Sequence, residues 1–312
     1  MEALRSKFLG SLIGTAVGDA LGASLEGWHM VDYNEVQALA EQPSPLSYTD
    51  DTHMAIGVAE SLIENKGFDG EHMANTFIRN YDLEPYRGYG PGPPRIFSMI
   101  KGGEAWDKAA ERLYRGGSYG NDSAMRIAPI GVFYHDDPDG LKEVAYESSG
   151  ITHAHELGRQ GAALQAYAVA LATASDPFSP FKSADFLGGL GNFIQHEVYR
   201  EKLKSIERLI GEEDRARVIL ELGNGIEAFN SVPTAIYCFL SHPQSFEEAV
   251  VYAISLGGDT DTIAAMTGAI SGAYLGIESI PERWKEKLEN RLYIEGLAEK
   301  LWRIKKQRYL EA

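Results

Sequence analysis

Residues 8–22 read FLGSLIGTAVGDALG. Apolar residues fall in pairs every fourth position: Phe8/Leu9, Leu12/Ile13, Ala16/Val17 and Ala20/Leu21. That is the period of a helix, not the alternation of a strand. Gly10, Gly14, Gly18 and Gly22 keep the same spacing. Each glycine in a helix costs about 1 kcal/mol relative to alanine. Together they also make a bare ridge that lets another helix approach closely. The stretch beginning SLGGDTDTIAAM (255–266) continues with the same design, in Ala264, Gly268, Gly272 and Gly276. The two small-residue ridges suit packing on one another, although spacing alone does not say which helix meets which. Arg5, Lys7 and Asp19 interrupt or flank the first run, which weakens a transmembrane reading of its glycines.

Helical periodicity continues over 52–65, 71–80, 104–115, 123–134, 140–149, 155–174, 202–210, 213–222, 224–229, 232–240, 245–255 and 282–305. Strand signals are few. Pro- and Gly-rich punctuation falls at 43–48, 85–94, 114–122 and 176–181, and none of it reads as a long flexible linker. No period of 20–50 residues recurs, which excludes a solenoid. The expectation is an all-α fold, a single compact orthogonal multi-helix bundle forming one domain over 1–312. The basic tail WRIKKQRYLEA reads as a solvated helix face.

The chain has 312 residues, 44% of them hydrophobic and 24% charged, which is ordinary for a soluble globular protein. A net charge of −16 disfavours duplex nucleic acid and anionic membrane as partners. The single cysteine, Cys238, lies in the apolar run TAIYCFL and reads as a buried structural residue. No signal peptide and no charge-free membrane-spanning run are apparent, so the expected location is cytoplasmic.

Two Thr/Asp clusters stand out. SYTDDTHMA carries Thr49, Asp50, Asp51 and Thr52 just before an apolar helical run; GGDTDTIAA carries Asp259, Thr260, Asp261 and Thr262 before another. Either alone suits a helix N-cap beside the positive end of a helix dipole. Folding needs one cap per helix, however, and four carboxylates brought together repel unless a cation neutralises them. Asp and Thr oxygens suit Mg²⁺, Mn²⁺ or Ca²⁺, and with no CxxC or HExxH a zinc site has no support. The pattern predicts a dinuclear metal site at two helix N-termini, with Gly257–Gly258 allowing close backbone approach. Elsewhere, Glu26 falls in a loop after the first glycine-ridged helix. GGSYGNDSAMR (116–126) is a Gly-rich turn leading into a helix, a shape that can cradle phosphate. His153 and His155 precede a long apolar helix.

The ordered series LIGTAVGDALGASLEG, YTDDTHMA, GSYGN-x-x-AMR, THAHELG, GNGIEAFNSVPTAIYCFL and SLGGDTDTIAAMTGAISGAYLG resembles the ADP-ribosylglycohydrolase family, and within it the ADP-ribosylhydrolase 3 branch. The resemblance runs from about residue 6 to about 303. It implies an all-α fold around two Mg²⁺ ions, or Mn²⁺. The implied ligands are Thr49, Asp50, Asp51, Asp259, Asp261 and Thr262. It implies Glu26 as the catalytic acid/base, and Gly117, Ser118, Tyr119, Gly120 and Asn121 as the loop holding the diphosphate and adjacent ribose. His153 matches an ADP-ribose contact. The family cleaves the C1″ bond joining ADP-ribose to a side chain or polymer. The expected substrates are therefore ADP-ribosylated proteins or ADP-ribose conjugates, with serine linkage, poly(ADP-ribose) and O-acetyl-ADP-ribose in view. The alternatives are an arginine-ADP-ribose hydrolase of the dinitrogenase-reductase-activating type, or a non-catalytic ADP-ribose-binding or crystallin-like protein. Two departures bear on substrate preference. Asp122 stands where the family has Gly, and Leu113, followed by Tyr114, stands where the branch places a Phe against adenine.

Overall fold

A computed structural model describes residues 2–311. In chain order the helices are α1 (Glu2–Gly22), α2 (Tyr33–Glu41), α3 (Asp50–Asn65), α4 (Gly70–Leu83), α5 (Gly92–Lys101), α6 (Ala109–Leu113), α7 (Asp122–Met125), α8 (Ala128–Phe133) and α9 (Pro138–Gly150). They continue as α10 (Glu156–Ala174), α11 (Ser183–Phe193), α12 (Glu197–Leu209), α13 (Arg215–Leu222), α14 (Ala228–Ser241), α15 (Phe246–Ser255), α16 (Thr260–Leu275), α17 (Glu282–Lys285) and α18 (Arg291–Glu311). Among the described residues there is no strand, only two isolated bridges, Leu46–Leu288 and Gly120–Glu227. The fold is all-α.

The two small-residue ridges meet. α1 and α16 form the most extensive helix pair of the molecule, and they run antiparallel, backbone against backbone. A Cβ placed on Gly10 would lie 2.2 Å from the Gly272 carbonyl oxygen; on Gly14, 2.2 Å from that of Gly268; on Gly18, 2.1 Å from that of Ala264. No side chain fits at these positions, which is why the chain tolerates helix-weakening glycines there. α1 is long and apolar enough to cross a membrane by composition, yet 83% of its most apolar window is buried inside the protein. α3, α8, α10, α14, α15 and α18 pack around this central pair. Cys238, on α14, is buried, and burial pushes its thiol up.

Several boundaries differ from the periodicity. The helix expected at 123–134 breaks into α7 and α8, because Pro129, in the first turn of α8, has no N–H to carry the hydrogen-bond ladder back into α7. The helix expected at 282–305 is interrupted after Lys285. There the backbone of Lys287 and Glu289 bonds Leu46 instead, and Asn290 takes a left-handed turn (φ 53°) before α18. Residues 224–227 form a loop rather than a helix, and the 104–115 segment is helical only in α6. Periodicity missed α2, α5 and α11. α5 was masked by its prolines, which occupy the first turn where a missing N–H costs nothing, and α11 by its three glycines.

Candidate active site

The antiparallel register of α1 and α16 puts the N-terminus of α16 beside the C-terminal end of α1. α3 then brings its own N-terminus to the same place. A cavity of about 300 Å³ opens there, lined by Glu26, Thr49, Asp50, Asp51, Ser118, Gly120, Asn121, His153, Asp259, Asp261 and Thr262. Eleven of the thirteen residues singled out from the sequence therefore share one cavity. Gly117 and Tyr119 stand behind this wall. Gly117 has φ 81° and leaves no room for a Cβ, which would lie 2.3 Å from the His155 amide. Tyr119 is exposed, with its ring against His155 and Phe229.

The acidic turns converge. Asp19, Asp51 and Asp261 each offer a carboxylate oxygen within 4.8 Å of the others, and Glu26, Asp259 and Asp261 do the same. The two triads share Asp261. Thr262 donates its hydroxyl to Asp51 Oδ2 at 3.4 Å, a long bond across the two turns. Burial first, and then neighbouring carboxylates, hold Asp50, Asp51 and Asp259 well above the usual carboxylate range. Burial also raises Asp261. Asp51 Oδ1 is buried with no hydrogen-bond partner. A buried acceptor left unpaired is costly, and here it faces a set of hard oxygen donors. That donor set suits a hard divalent cation.

Each turn is held differently. In the first, Thr49 and Thr52 bond the carboxylate of Asp19 on α1. In the second, Gly257 (φ 70°) and Gly258 (φ 76°) turn the chain into α16. The Gly27 N–H donates to the Gly258 carbonyl, and the Gly258 N–H to the Trp28 carbonyl, both at 2.8 Å. This reciprocal pair fixes the Glu26 loop to the acidic turn. From the other side Asn224 accepts from the Asp259 N–H at 2.9 Å and donates to the Leu256 carbonyl at 3.0 Å. Glu26 itself is exposed, and its carboxyl is raised by the charge of Asp261 and then by burial.

The Gly-rich loop joins the second turn through Asn121, whose side-chain amide donates to Asp259 Oδ2 at 2.5 Å and Ser231 Oγ at 3.0 Å. Asp122 points its Oδ2 at His153 Nε2, 2.9 Å away. Burial would raise this carboxyl, but His153 and Arg126 hold it down at about 2. It is therefore an ionised group in the cavity wall, and its charge helps to raise Asp50. Tyr114, not Leu113, reaches the cavity; Leu113 packs behind it on a small apolar cluster with Ile96 and Ala109. His155 caps α10 by accepting from the Leu157 N–H and is not part of the cavity.

Sequence reasoning missed four contributors. Asp19 reads as a mere interruption of an apolar helix, although a carboxylate at a core position is itself a signal. The loop carrying Gly88, Gly90 and Gly92 forms a wall of the cavity but reads only as punctuation. Asn224, inside GNG, falls in the stretch 224–229 whose periodicity reads as helix. Ile226 at the rim gives no signal at all.

A family model for ADP-ribosylglycohydrolase matches residues 1–311. The chain is 37% identical to ADP-ribosylhydrolase ARH3 of Homo sapiens, with 96% of this chain and 93% of that protein covered. It is 33% identical to an uncharacterized protein of Archaeoglobus fulgidus, with 96% and 97% covered. A solved structure described as an ADP-ribosylglycohydrolase-related protein complex superposes with a TM-score of 0.79 at 28% identity, covering 98% of this chain and all of that one.

Proposed function

This chain belongs to the ADP-ribosylglycohydrolase family, and on that premise we propose that it is a Mg²⁺-dependent hydrolase releasing ADP-ribose from protein serine. It is an enzyme acting on ADP-ribose linkages. The ligands in this reading are Thr49, Asp50, Asp51, Asp259, Asp261 and Thr262, holding two Mg²⁺ or Mn²⁺ ions. One observation carries it: the unpartnered Asp51 Oδ1 among buried carboxylates that share Asp261. When bound, the ions would supply positive charge to orient ribose hydroxyls and stabilise the developing charge of the reaction.

The protein's own groups do the rest. Cleavage at C1″ forms a bond from water oxygen to C1″ and breaks the bond from C1″ to the serine oxygen, which leaves with a proton. The transition state has oxocarbenium character. Glu26 is the group that moves the proton. It stands on an exposed loop, free to meet an entering substrate, and the charge of Asp261 raises its carboxyl. The clamp of Gly27 on Gly258 keeps it in register with the acidic turn. Gly117 to Asn121 offer a turn for the diphosphate, His153 contacts the ligand beside it, and Tyr114 offers a ring for the adenine. Asp122 limits affinity there, since an ionised carboxylate repels an anion.

The test is ADP-ribose release from a serine-linked and an arginine-linked peptide, each with Mg²⁺ and with chelator. Release from the serine peptide alone, abolished by chelator, supports the whole reading. Release only from the arginine peptide overturns the serine assignment. Undiminished release in chelator overturns the metal.

A further inference from the structure

Helix α1 reaches both acidic turns through groups that lie outside either motif. Asp19 is fully buried inside it. Its Oδ1 accepts from the Thr49 N–H at 3.0 Å and the Thr49 hydroxyl at 2.9 Å. Its Oδ2 accepts from the Thr52 N–H at 3.0 Å and the Thr52 hydroxyl at 2.5 Å. The first N–H groups of any helix lack intrahelical partners, and the N-cap side chain ordinarily supplies the acceptor. Thr49, the N-cap of α3, does this poorly: its Oγ1 lies 3.4 Å from the Asp51 N–H. An acceptor carried by a different helix does the capping instead. One turn further along α1, the Gly22 carbonyl accepts from the Thr260 hydroxyl at 2.9 Å, so the same helix also steadies the second turn.

We propose that Asp19 is a positioning residue for the metal site: it caps α3 from outside and leaves Thr49, Asp50 and Asp51 free to present their side chains to a cation. The proposal rests on the metal-site reading above. Asp19 lies close enough to Asp51 and Asp261 to be taken for a ligand. Its oxygens are occupied, however: four donors fill about the four lone-pair directions a carboxylate has. Asp51 Oδ1, beside it, has none. By accepting the hydrogen bond of the Thr49 hydroxyl, Asp19 also turns that proton away and leaves lone-pair density on the oxygen available. Its charge sits at the positive end of α3, and its N–H bonds are of the strong, charge-assisted kind. The glycine ridge is what makes this reach possible. With a Cβ at Gly18, α1 would be pushed off Ala264, and Asp19 would withdraw from between the two turns.

The experiment is calorimetric titration of Mn²⁺ into the metal-free full chain, comparing wild type with Asp19→Asn, Thr52→Val and Ser11→Ala, with thermal melting of each metal-free protein alongside. Asp19→Asn keeps the shape but cannot accept both N–H bonds. It is expected to weaken Mn²⁺ binding about 10- to 100-fold, the usual effect of removing a group that orients a ligand. Thr52→Val removes one donor to Asp19 and no ligand, and is expected to weaken binding by a smaller factor. Ser11→Ala removes a buried bond from α1 to the Ala269 carbonyl, away from the turns; it should lower the melting temperature and leave Mn²⁺ affinity unchanged. Wild-type affinity in Asp19→Asn overturns the proposal. A loss in Asp19→Asn with Thr52→Val at wild-type affinity makes Asp19 a ligand and also overturns it. If Asp19→Asn does not fold, Thr52→Val decides by itself: weakened binding supports the positioning role, wild-type affinity refutes it. A wild type that binds no Mn²⁺ defeats the metal-site reading and not the part given to Asp19.

Discussion

The two acidic turns carry nearly the same letters, yet they are built by opposite means. The turn at 49–52 is an ordinary helix start with an extended N-cap (φ −97°), held by the charge and hydrogen bonds of Asp19. The turn at 257–262 is held by backbone geometry. Two positive-φ glycines are wedged between the Glu26 loop and Asn224, and its N-cap Asp259 makes no capping bond at all. Helix propensity does not distinguish them. What differs is the neighbour: a carboxylate is delivered from a buried helix to the first turn, while the second also holds the loop that carries Glu26. In both turns the N-cap side chain itself does little capping: Thr49 only at 3.4 Å from the Asp51 N–H, and Asp259 not at all, with Asp261 accepting from the Thr262 N–H at 2.8 Å instead. Each cluster thus holds more carboxylates than capping uses.

The largest way to probe the comparison is Glu26→Gln. It is tied to the second turn by the clamp of Gly27 on Gly258 and by a carboxylate within reach of Asp259 and Asp261, so the chemistry should fail while most of the metal affinity stays. A loss of about 10²- to 10⁴-fold in kcat is expected from removing a general acid/base, with a much smaller change in Mn²⁺ affinity by titration. Next is Asp51→Asn. It should lower Mn²⁺ affinity more than any partner of a ligand does, more than about 100-fold, and yet raise the melting temperature of the metal-free protein, because one of several buried, mutually repelling carboxylates is gone. Equal or lower metal-free stability would show that the carboxylates do not strain the empty site.

Gly258→Ala comes third. Its Cβ would lie 2.1 Å from the Asn224 carbonyl oxygen, in a conformation an L side chain rarely adopts. A cost of about 1–3 kcal/mol is expected, read as a lower melting temperature together with reduced activity.

The pH dependence follows from Asp19, which burial raises from 3.8 to about 7 despite its Thr donors. A group whose pKa is raised in the folded state stabilises it below the unfolded value and loses that contribution as pH rises through the folded one. The chelator-treated protein should therefore melt at lower temperature as pH climbs from about 4 to 7. Added Mn²⁺ should flatten that decline. The smallest effect is expected from Asp122→Asn. Removing an ionised carboxylate from the wall where the diphosphate is proposed to lie should tighten ADP-ribose binding several-fold, about 1 kcal/mol for a screened charge pair, by calorimetry.

Much of this architecture was legible in the chain. The helix period, the two glycine ridges and the two Thr/Asp clusters are local patterns, and local patterns survive folding when side-chain spacing and backbone sterics set them. Gly14 lies against a backbone as bare as its own at Gly268, a pairing the spacing allowed but did not assign. The segments that resisted reading were those whose local signal is weak or misleading: α5 behind its prolines, α11 behind its glycines, and the 224–227 loop, where Asn224 serves a distant turn. Read along the chain, the residues specify an all-α protein with two acid-rich helix starts and an acid in a loop after the first helix. Helix packing adds that these meet in one cavity, that Asp19 from a buried helix caps α3, that Asp122 is paired with His153, and that Tyr114 rather than Leu113 lines the cavity. The reason is physical. Propensity and periodicity act over a few residues, whereas hydrogen-bond acceptors and charges act on whatever the packing of helices brings within about 3 Å.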